Sequence, residues 1–435
     1  MSSGSAARGA AVQALRAYWP MIYAPTAIYS MGQGAIIPVL PKIAEQHAGG
    51  LAPEVLLPAA ALVAAMIPVG QLCGNLPSGV LVARFGERLT MLAAAAISLI
   101  GITVMLLAPN IAVLGLGALL IGVCASIFAL ARHAFMTTRA PLAFRARALA
   151  LIGGSFRLGT FTGPVMAAGL IWLTGTENST LWFFAFCLLA MGLLVAFGPD
   201  PETRAAAAER ARRSRTPETD REDTGEPVSG SIPAVERHGL FATIRRHRGV
   251  LARLGLSAAS LAAVRAGRQA ILPLWGLAIG LDSWQISLII GFAGAAEFSL
   301  FYASGQVMDR FGRIWATVPS AVLMSASFLS LSLTRDTGGP EIAFAVFAVV
   351  IGIGNGISSG ALMTLGSDAA PPENPAPFLG AWRTMTDSGA SATPLLVSGV
   401  TALASLPVAT ALVGAIGLIG AIGFLRWVPR VAPER

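Results

Sequence analysis

Runs of roughly twenty apolar residues recur along this chain, one after another, and each matches a single crossing of a bilayer. Nothing else in the sequence restricts the fold so strongly. Backbone in lipid must satisfy its own hydrogen bonds, so apolar runs of this length become helices. The runs cover residues 18–40, 56–82, 89–107, 111–135, 148–173 and 180–197. After a break they resume at 250–279, 284–304, 314–333, 342–365, 378–403 and 408–427. The sequence therefore predicts an all-α membrane protein, with twelve transmembrane helices in two pseudo-symmetric six-helix halves. These are residues 1–197 and 250–435. Between them, residues 198–249 are rich in Arg, Glu, Asp, Pro, Ser and Thr, which predicts a solvated linker with helix around 202–213.

Composition narrows the class further. Hydrophobic residues make up 55% of the chain and charged residues 12%, against about 25% charged in a soluble domain. The three cysteines, Cys73, Cys124 and Cys187, all lie inside apolar runs, which argues against a disulfide framework and a metal cluster. The polar start to about Arg16 and the long apolar run after it do not have the form of a cleavable signal. The net charge of +8 comes almost entirely from arginine, with Lys42 the single lysine. No aromatic-interleaved basic patch points to nucleic acid. The excess reads instead as topology. Arg8, Arg84, Arg88, Arg139, Arg145, Arg147, Arg310, Arg313, Arg430 and the linker arginines fall on one side, Lys42 and Arg335 on the other. Basic loops stay in the cytoplasm, so both termini and the linker are expected there. Arginine- and alanine-rich usage points to a bacterium, hence to its inner membrane.

A charged turn occurs once in each half. Gly305-Gln306-Val307-Met308-Asp309-Arg310-Phe311-Gly312-Arg313 separates the eighth and ninth runs. Gly79 to Arg88 separates the second and third, with Arg84, Gly86 and Arg88 matching and Ala83 at the aspartate position. These turns resemble the loop motif G-x-L-a-D-r-x-G-r-k of the major facilitator superfamily. The second copy keeps Gly305, Asp309, Arg310, Gly312 and Arg313; the first departs at Ala83 and Glu87. Gly159-x-x-x-Gly163-Pro164, followed by Ala167-Ala168, is similar to the fifth-span motif of bacterial drug:proton antiporters in that superfamily. The arginine that many antiporters carry in span 4 is missing, since Ala118 stands four residues before Gly122. The resemblance implies alternating access between two halves, a cytoplasmic gate at the loop motifs, and no cofactor. It also implies a monomer that binds a small-molecule substrate and protons within the bilayer.

The repeat extends into the spans. Aligning Pro141–Pro164 with Pro371–Pro394 places Arg157 opposite Asp387 and Gly159 opposite Gly389. Aligning Gly79 with Gly305 places Gln71 opposite Glu297, and aligning Pro38 with Pro273 places Ser30 and Gln33 opposite Arg265 and Arg268.

Charges inside a span cost ~2.5–3.5 kcal/mol each on insertion scales and therefore mark functional candidates. Glu297 lies mid-way along span 8, Arg157 in span 5, and Arg383 and Asp387 one turn apart in span 11. In the superfamily span 5 packs near span 8 and span 2 near span 11. The resemblance thus implies an Arg157–Glu297 ion pair between the halves, and Gln71 near Asp387. Glu297, Asp387, Arg157 and Arg383 are the candidates for proton coupling, because a carboxylate favours its charged form beside a cation and its neutral form alone in an apolar cavity. A permanent staple between helices is the competing reading. Gln33, Arg265, Arg268, Tyr29, Asn355 and Trp275 are the candidate substrate-cavity residues, by depth in spans 1, 7 and 10. For Arg265 and Arg268 the choices are an anionic substrate or an ion pair with Asp387 or Glu297. Asp309 is expected at the positive N-terminal end of span 5, with Arg145 or Arg147 beside it. Arg132 and His133 are expected at the interface, at the end of span 4.

The expected function is proton-coupled export of small amphipathic compounds or drugs. The alternative is transport of organic anions or metabolites using the intramembrane arginines. No acidic metal-binding cluster, metal-spaced histidine set or nucleophile–base pair points to an enzyme.

Overall fold

The computed structural model describes residues 18–139, 145–198, 245–335, 337–371 and 375–431. The proposed linker helix at 202–213 and the N-terminal tail lie outside the described residues. Among the described residues the chain is all-helical. Ten helices are long and apolar enough to cross a membrane.

In the first half, span 2 is Pro53–Phe85, span 3 Glu87–Leu106, span 4 Ile111–Arg139, span 5 Arg145–Thr174 and span 6 Asn178–Phe197. In the second, span 7 is Leu256–Ala278 with a π-helical turn Leu251–Gly255 before it. Span 8 is Ser283–Phe311, span 9 Ile314–Ser332, span 11 Pro375–Leu403 and span 12 Leu406–Val431. Local signals set several ends. Asn110 Oδ1 accepts from the backbone N–H groups of Ala112 and Val113 and so starts span 4. Asp282 and Gln285 form a capping box at the start of span 8.

Two spans fall outside the ten for physical reasons. Span 1 is broken into a π-helical turn Trp19–Tyr23, a helix Ala24–Ile36 and a short helix Leu40–Gln46. Pro38 and Pro41 interrupt the backbone ladder between the last two. Span 11 is continuous, but Arg383, Asp387 and its many serines and threonines make it polar. Span 10, expected as one helix, is also broken: Pro340–Ile357 and Ala361–Ala369 meet at Ser358-Ser359-Gly360, where Gly360 has φ +80°.

The two halves repeat the same close contacts. Spans 1 and 5 approach until a side chain on Gly159 would strike the Ala27 carbonyl, and Gly389 stands likewise against Ala259 between spans 11 and 7. Gly122 lies on the Ile67 carbonyl between spans 4 and 2, and Gly352 on Ala293 between spans 10 and 8. Small residues allow this approach, and close packing drives helix association in lipid. Ile67 and Ala293 keep the register given by Gly79 and Gly305. Spans 1 and 7 do not keep the register given by their prolines. The packing equates Ala27 with Ala259, and the same step carries Gln33, rather than Ser30, onto Arg265. Pro38 sits in a break of span 1 whereas Pro273 lies inside a continuous helix, so the two prolines are not equivalent points.

The halves meet through spans 5 and 8 and through spans 2 and 11. At the end away from the linker, Glu177 accepts from Gln46 Nε2 and from Ser283 Oγ, both at 2.8 Å, the second bond crossing between halves. Ser398 Oγ also donates to the Pro58 carbonyl at 3.3 Å. We call this the far end, and the opposite one the basic end.

Candidate functional site

Glu297 is the centre of the charged cluster. Span 8 carries it to mid-depth, where Gly291 and Gly294 let span 5 come close at Val165 and Phe161. That approach brings Arg157 across the seam, with Nη1 2.7 Å from Glu297 Oε1. Arg268 on span 7 takes the other oxygen, with Nη2 2.9 Å from Oε2. The Asn355 side chain, from span 10, lies beside the same carboxylate. All four groups are mostly buried. Arg157 lies over the Phe301 ring at 5.0 Å, and Phe161 stacks on Phe298 at 6.1 Å. The seam is thus an ion pair set between aromatic contacts, one partner from each half.

Arg265 lies one turn from Arg268. Its Nη2 donates to both the carbonyl and the hydroxyl of Ser358, at the break in span 10. Ser358 Oγ is 2.7 Å from Ser320 Oγ, and Ser304 Oγ donates to the Ser359 carbonyl at 3.0 Å, so spans 7, 8 and 9 all hold the break. No carboxylate among the described residues forms an ion pair with Arg265. The Nε atoms of Arg265 and Arg268 have no hydrogen-bond partner.

A small cleft open to solvent adjoins the cluster. Arg157, Arg268, Glu297, Thr160 and Gln269 line it, with Ile37, Leu272, Ile290 and Phe298 as its apolar wall. Pro164 also lines it, while Gly159 and Gly163 are turned to span 1.

Other expected residues stand elsewhere. Tyr29 is stacked on Phe128 at 4.7 Å and fully packed within the first half, so it is not on the cleft wall. Trp275 is also buried in packing, and Gln33 is nearly so. Arg383 and Asp387 are 3.5 Å apart along their own helix, both open to solvent. Arg383 lies near enough to His133 of the other half to act on it electrostatically.

The turn motifs behave differently in the two halves. Gly86 and Gly312 both have positive φ, +76° and +91°, and end spans 2 and 8 alike. Arg88 Nε donates to the Val195 carbonyl at 2.9 Å, and its Nη2 reaches Ala196 and Gly198, which caps span 6. Arg313 Nε donates to Asp368 at 2.8 Å and its Nη1 to the Met308 carbonyl at 3.0 Å. Arg84 and Arg310 are exposed, Gly305 has open space around it, and a Cβ on Gly79 would touch only Leu130 at 4.0 Å. Among the described residues Asp309 has no partner on span 5. Its side chain is 84% exposed, and the nearest described cation is Arg313 at 3.8 Å. The side chains of Arg145 and Arg147 lie outside the described residues.

Arg132 departs most from expectation. It is 6% exposed rather than interfacial, with its guanidinium 5.6 Å from the Phe128 ring and 5.4 Å from the Phe156 ring. Hydropathy gave no warning, because the aromatic residues that cover it come from two different spans.

Glu177, outside the spans, is the other carboxylate with a defined role. Burial pushes its pKa up, but hydrogen bonds from Gln46 and Ser283, with Lys42 nearby, outweigh this and hold it below the usual carboxylate range.

Comparison with known proteins agrees with this architecture. No curated protein matches the sequence significantly. Among solved structures, a D-xylose–proton symporter is similar with a TM-score of 0.69 at 14% identity, over 95% of this chain and 98% of that one. A peptide transporter POT in complex with sulfate gives 0.67 at 12% identity, over 94% of each chain. The inward-open conformation of the xylose transporter XylE from E. coli gives 0.67 at 14% identity, over 94% of this chain and 95% of that one. At such identities the likeness is one of fold. The model of the Major Facilitator Superfamily matches residues 24–394, through both halves and the seam with its ion pair; the chain belongs to that superfamily, as a membrane-spanning transporter and not an enzyme.

Proposed function

We propose that this chain is a proton-coupled secondary transporter that exports small amphipathic compounds by alternating access. Both termini and the linker would then face the cytoplasm of a bacterium. The observation that carries the coupling is Glu297 shared between Arg157 and Arg268. Beside two guanidiniums a carboxyl group is ionised, and stripped of them in an apolar cleft it takes a proton. Arg157 belongs to the other half, so a rocking motion removes it. Arg268 is on span 7, in the same half as Glu297, and must turn away as well before the carboxyl is neutral.

Arg383 and Asp387 form the second candidate pair, at the basic end of span 11. Their exposure makes them the weaker one, since a solvated pair gains little from either state. Export rather than uptake rests on the resemblance of Gly159, Gly163 and Pro164 to the antiporter motif. The similar fold of a D-xylose–proton symporter supports coupling to protons in this architecture.

The test is dye flux into or out of proteoliposomes under an imposed pH gradient, with wild type beside Glu297→Gln. Loss of uphill flux with exchange retained is expected. Equal pH-driven flux in the variant would refute the role of Glu297, and its two arginines would then be staples.

A further inference from the structure

We infer that Arg253, Arg426 and Arg430, gathered around Trp427, bind the phosphate of an anionic phospholipid in the leaflet at the basic end. None of these residues lines the cleft beside Glu297, so the inference is independent of what that cleft does.

One indole ring collects all three cations. The guanidinium of Arg253 lies 4.5 Å from the Trp427 ring centre, that of Arg430 4.8 Å and that of Arg426 5.7 Å. Arg253 comes from the π-helical turn before span 7, the others from the last turns of span 12. Three like charges therefore stand within about one Debye length, ~10 Å at 0.1 M salt, of one another. Among the described residues none of the three forms an ion pair, whereas Arg157, Arg268, Arg313 and Arg383 each meet a carboxylate.

Topology and helix dipoles explain only part of this cluster. Arginines at a cytoplasmic helix end follow the positive-inside rule, and the C-terminus of span 12 favours Arg426 and Arg430. Arg253 stands at the opposite kind of helix end. It lies near the N-terminal, positive end of the helix that becomes span 7, where a cation is disfavoured. Attraction to the indole face offsets some of the crowding. An anion between the guanidiniums offsets the rest.

The surroundings identify that anion as part of a lipid. Span 12 packs on spans 7, 9 and 11 of its own half. Ile419, Ile422, Arg426 and Arg430 follow at steps of three and four, share one face, and are all exposed. Leu256, also exposed, lies one turn deeper along span 7 than Arg253. Both helices thus present apolar side chains toward the bilayer centre and cations beyond them. Span 12 has 26 residues, or about 39 Å at 1.5 Å per residue, against a hydrocarbon core of ~30 Å. Its final turn therefore reaches the headgroup layer, where tryptophan is at home. A guanidinium fork matches the two free oxygens of a phosphodiester, and acyl chains match the stripe below it. A choline head would bring a fourth cation, so an anionic head is preferred.

The experiment uses the full chain in a neutral detergent. Native mass spectrometry measures the affinity of the first bound dioleoyl lipid. Phosphatidylglycerol is expected to bind at least about tenfold more tightly than phosphatidylcholine, and Arg253→Gln/Arg426→Gln/Arg430→Gln to remove that difference. Arg245→Gln/Arg246→Gln/Arg248→Gln removes as much charge from the same end and is expected to change the affinity less than about twofold. Should the first triple variant not fold, the three arginines are changed to lysine instead. Charge is then kept and the fork lost, and a drop of several-fold is expected. Inorganic phosphate in large excess is expected not to displace the lipid. Equal binding of the two lipids, or an unchanged preference in a folded variant of the three arginines, would overturn the inference. An equal loss in the two glutamine triples would also overturn it, because diffuse attraction to a basic edge would then suffice. Displacement by inorganic phosphate would overturn the lipid assignment and mark a site for a free oxyanion.

Discussion

Arg157 and Glu297 come from different halves of the molecule and meet at 2.7 Å in the middle of the seam. Span 5 and span 8 therefore share one charge pair at mid-depth. Glu297→Gln leaves an amide that still accepts a hydrogen bond from Arg157. Arg157→Gln instead leaves Glu297 with Arg268 alone. We expect Arg157→Gln to lower stability by about 1–3 kcal/mol, and the Arg157→Gln/Glu297→Gln double variant to cost less than the two single changes summed. Thermal unfolding of the four proteins in detergent is the check; strict additivity would mean that the pair is not coupled.

The contacts of Gly159 and Gly389 are equivalent in the two halves and should respond alike. Substituting either by Val places a branched side chain against a backbone carbonyl, of Ala27 or Ala259. Each change is expected to destabilise the protein by about 1–3 kcal/mol, or to prevent its accumulation in the membrane. Gly153→Ala in span 5, where a Cβ has open space, should be close to neutral in the same assay.

Glu177 gives a pH dependence with a definite sign. Its folded pKa lies below the unfolded value of about 4.3, so its contribution to the far-end closure is complete above that pH. It is lost as pH falls through the lower, folded pKa. Spin labels at Gly50 and Leu281 are expected to show the far end closed near neutral pH and to populate longer distances only in acid. Glu177→Gln should weaken closure at neutral pH and flatten the acid response. An acid response that persists unchanged in Glu177→Gln would assign it to another group.

Arg88 and Asp309 occupy the two turn motifs but are expected to differ in effect. Arg88 satisfies the last carbonyls of span 6, so Arg88→Ala should cost about 1–2 kcal/mol. Asp309 is exposed in this conformation, so Asp309→Asn should change stability by less than about 0.5 kcal/mol. Thermal unfolding again decides, and a large loss for Asp309→Asn would place that carboxylate in a buried contact.

The apolar runs and the repeated turns made the fold legible in the sequence. Length and hydropathy are properties of a single helix, so twelve spans follow from local reading. Pairing between spans needed the resemblance to a known family, through which Arg157 could be set beside Glu297. The proline alignment of spans 1 and 7 failed by nearly a turn, because a proline marks a break in one helix and an interior position in the other. The break of span 10 carried no strong signal, since Ser358-Ser359-Gly360 lies within an otherwise apolar run. Arg132 was misplaced for a different reason. Its burial depends on Phe128 and Phe156, and one of those rings belongs to the next span. Asp309 was set on the start of span 5, whereas among the described residues its cation is Arg313, one turn along the chain.

The glycine contacts also have a mechanical consequence. With spans 1 and 5, and 2 and 4, in close backbone contact in one half, and their counterparts in the other, each half would turn as a single lever in the alternating access proposed above. Its fulcrum would lie where Val165 touches Gly291 and Phe161 touches Gly294. From there span 5 runs about 27 Å to its basic end, at 1.5 Å per residue. A tilt of about 10° at the fulcrum thus displaces that end by about 5 Å, roughly the width of one helical turn. A rearrangement that small at the seam is enough to shift a whole layer of side chains past its neighbour.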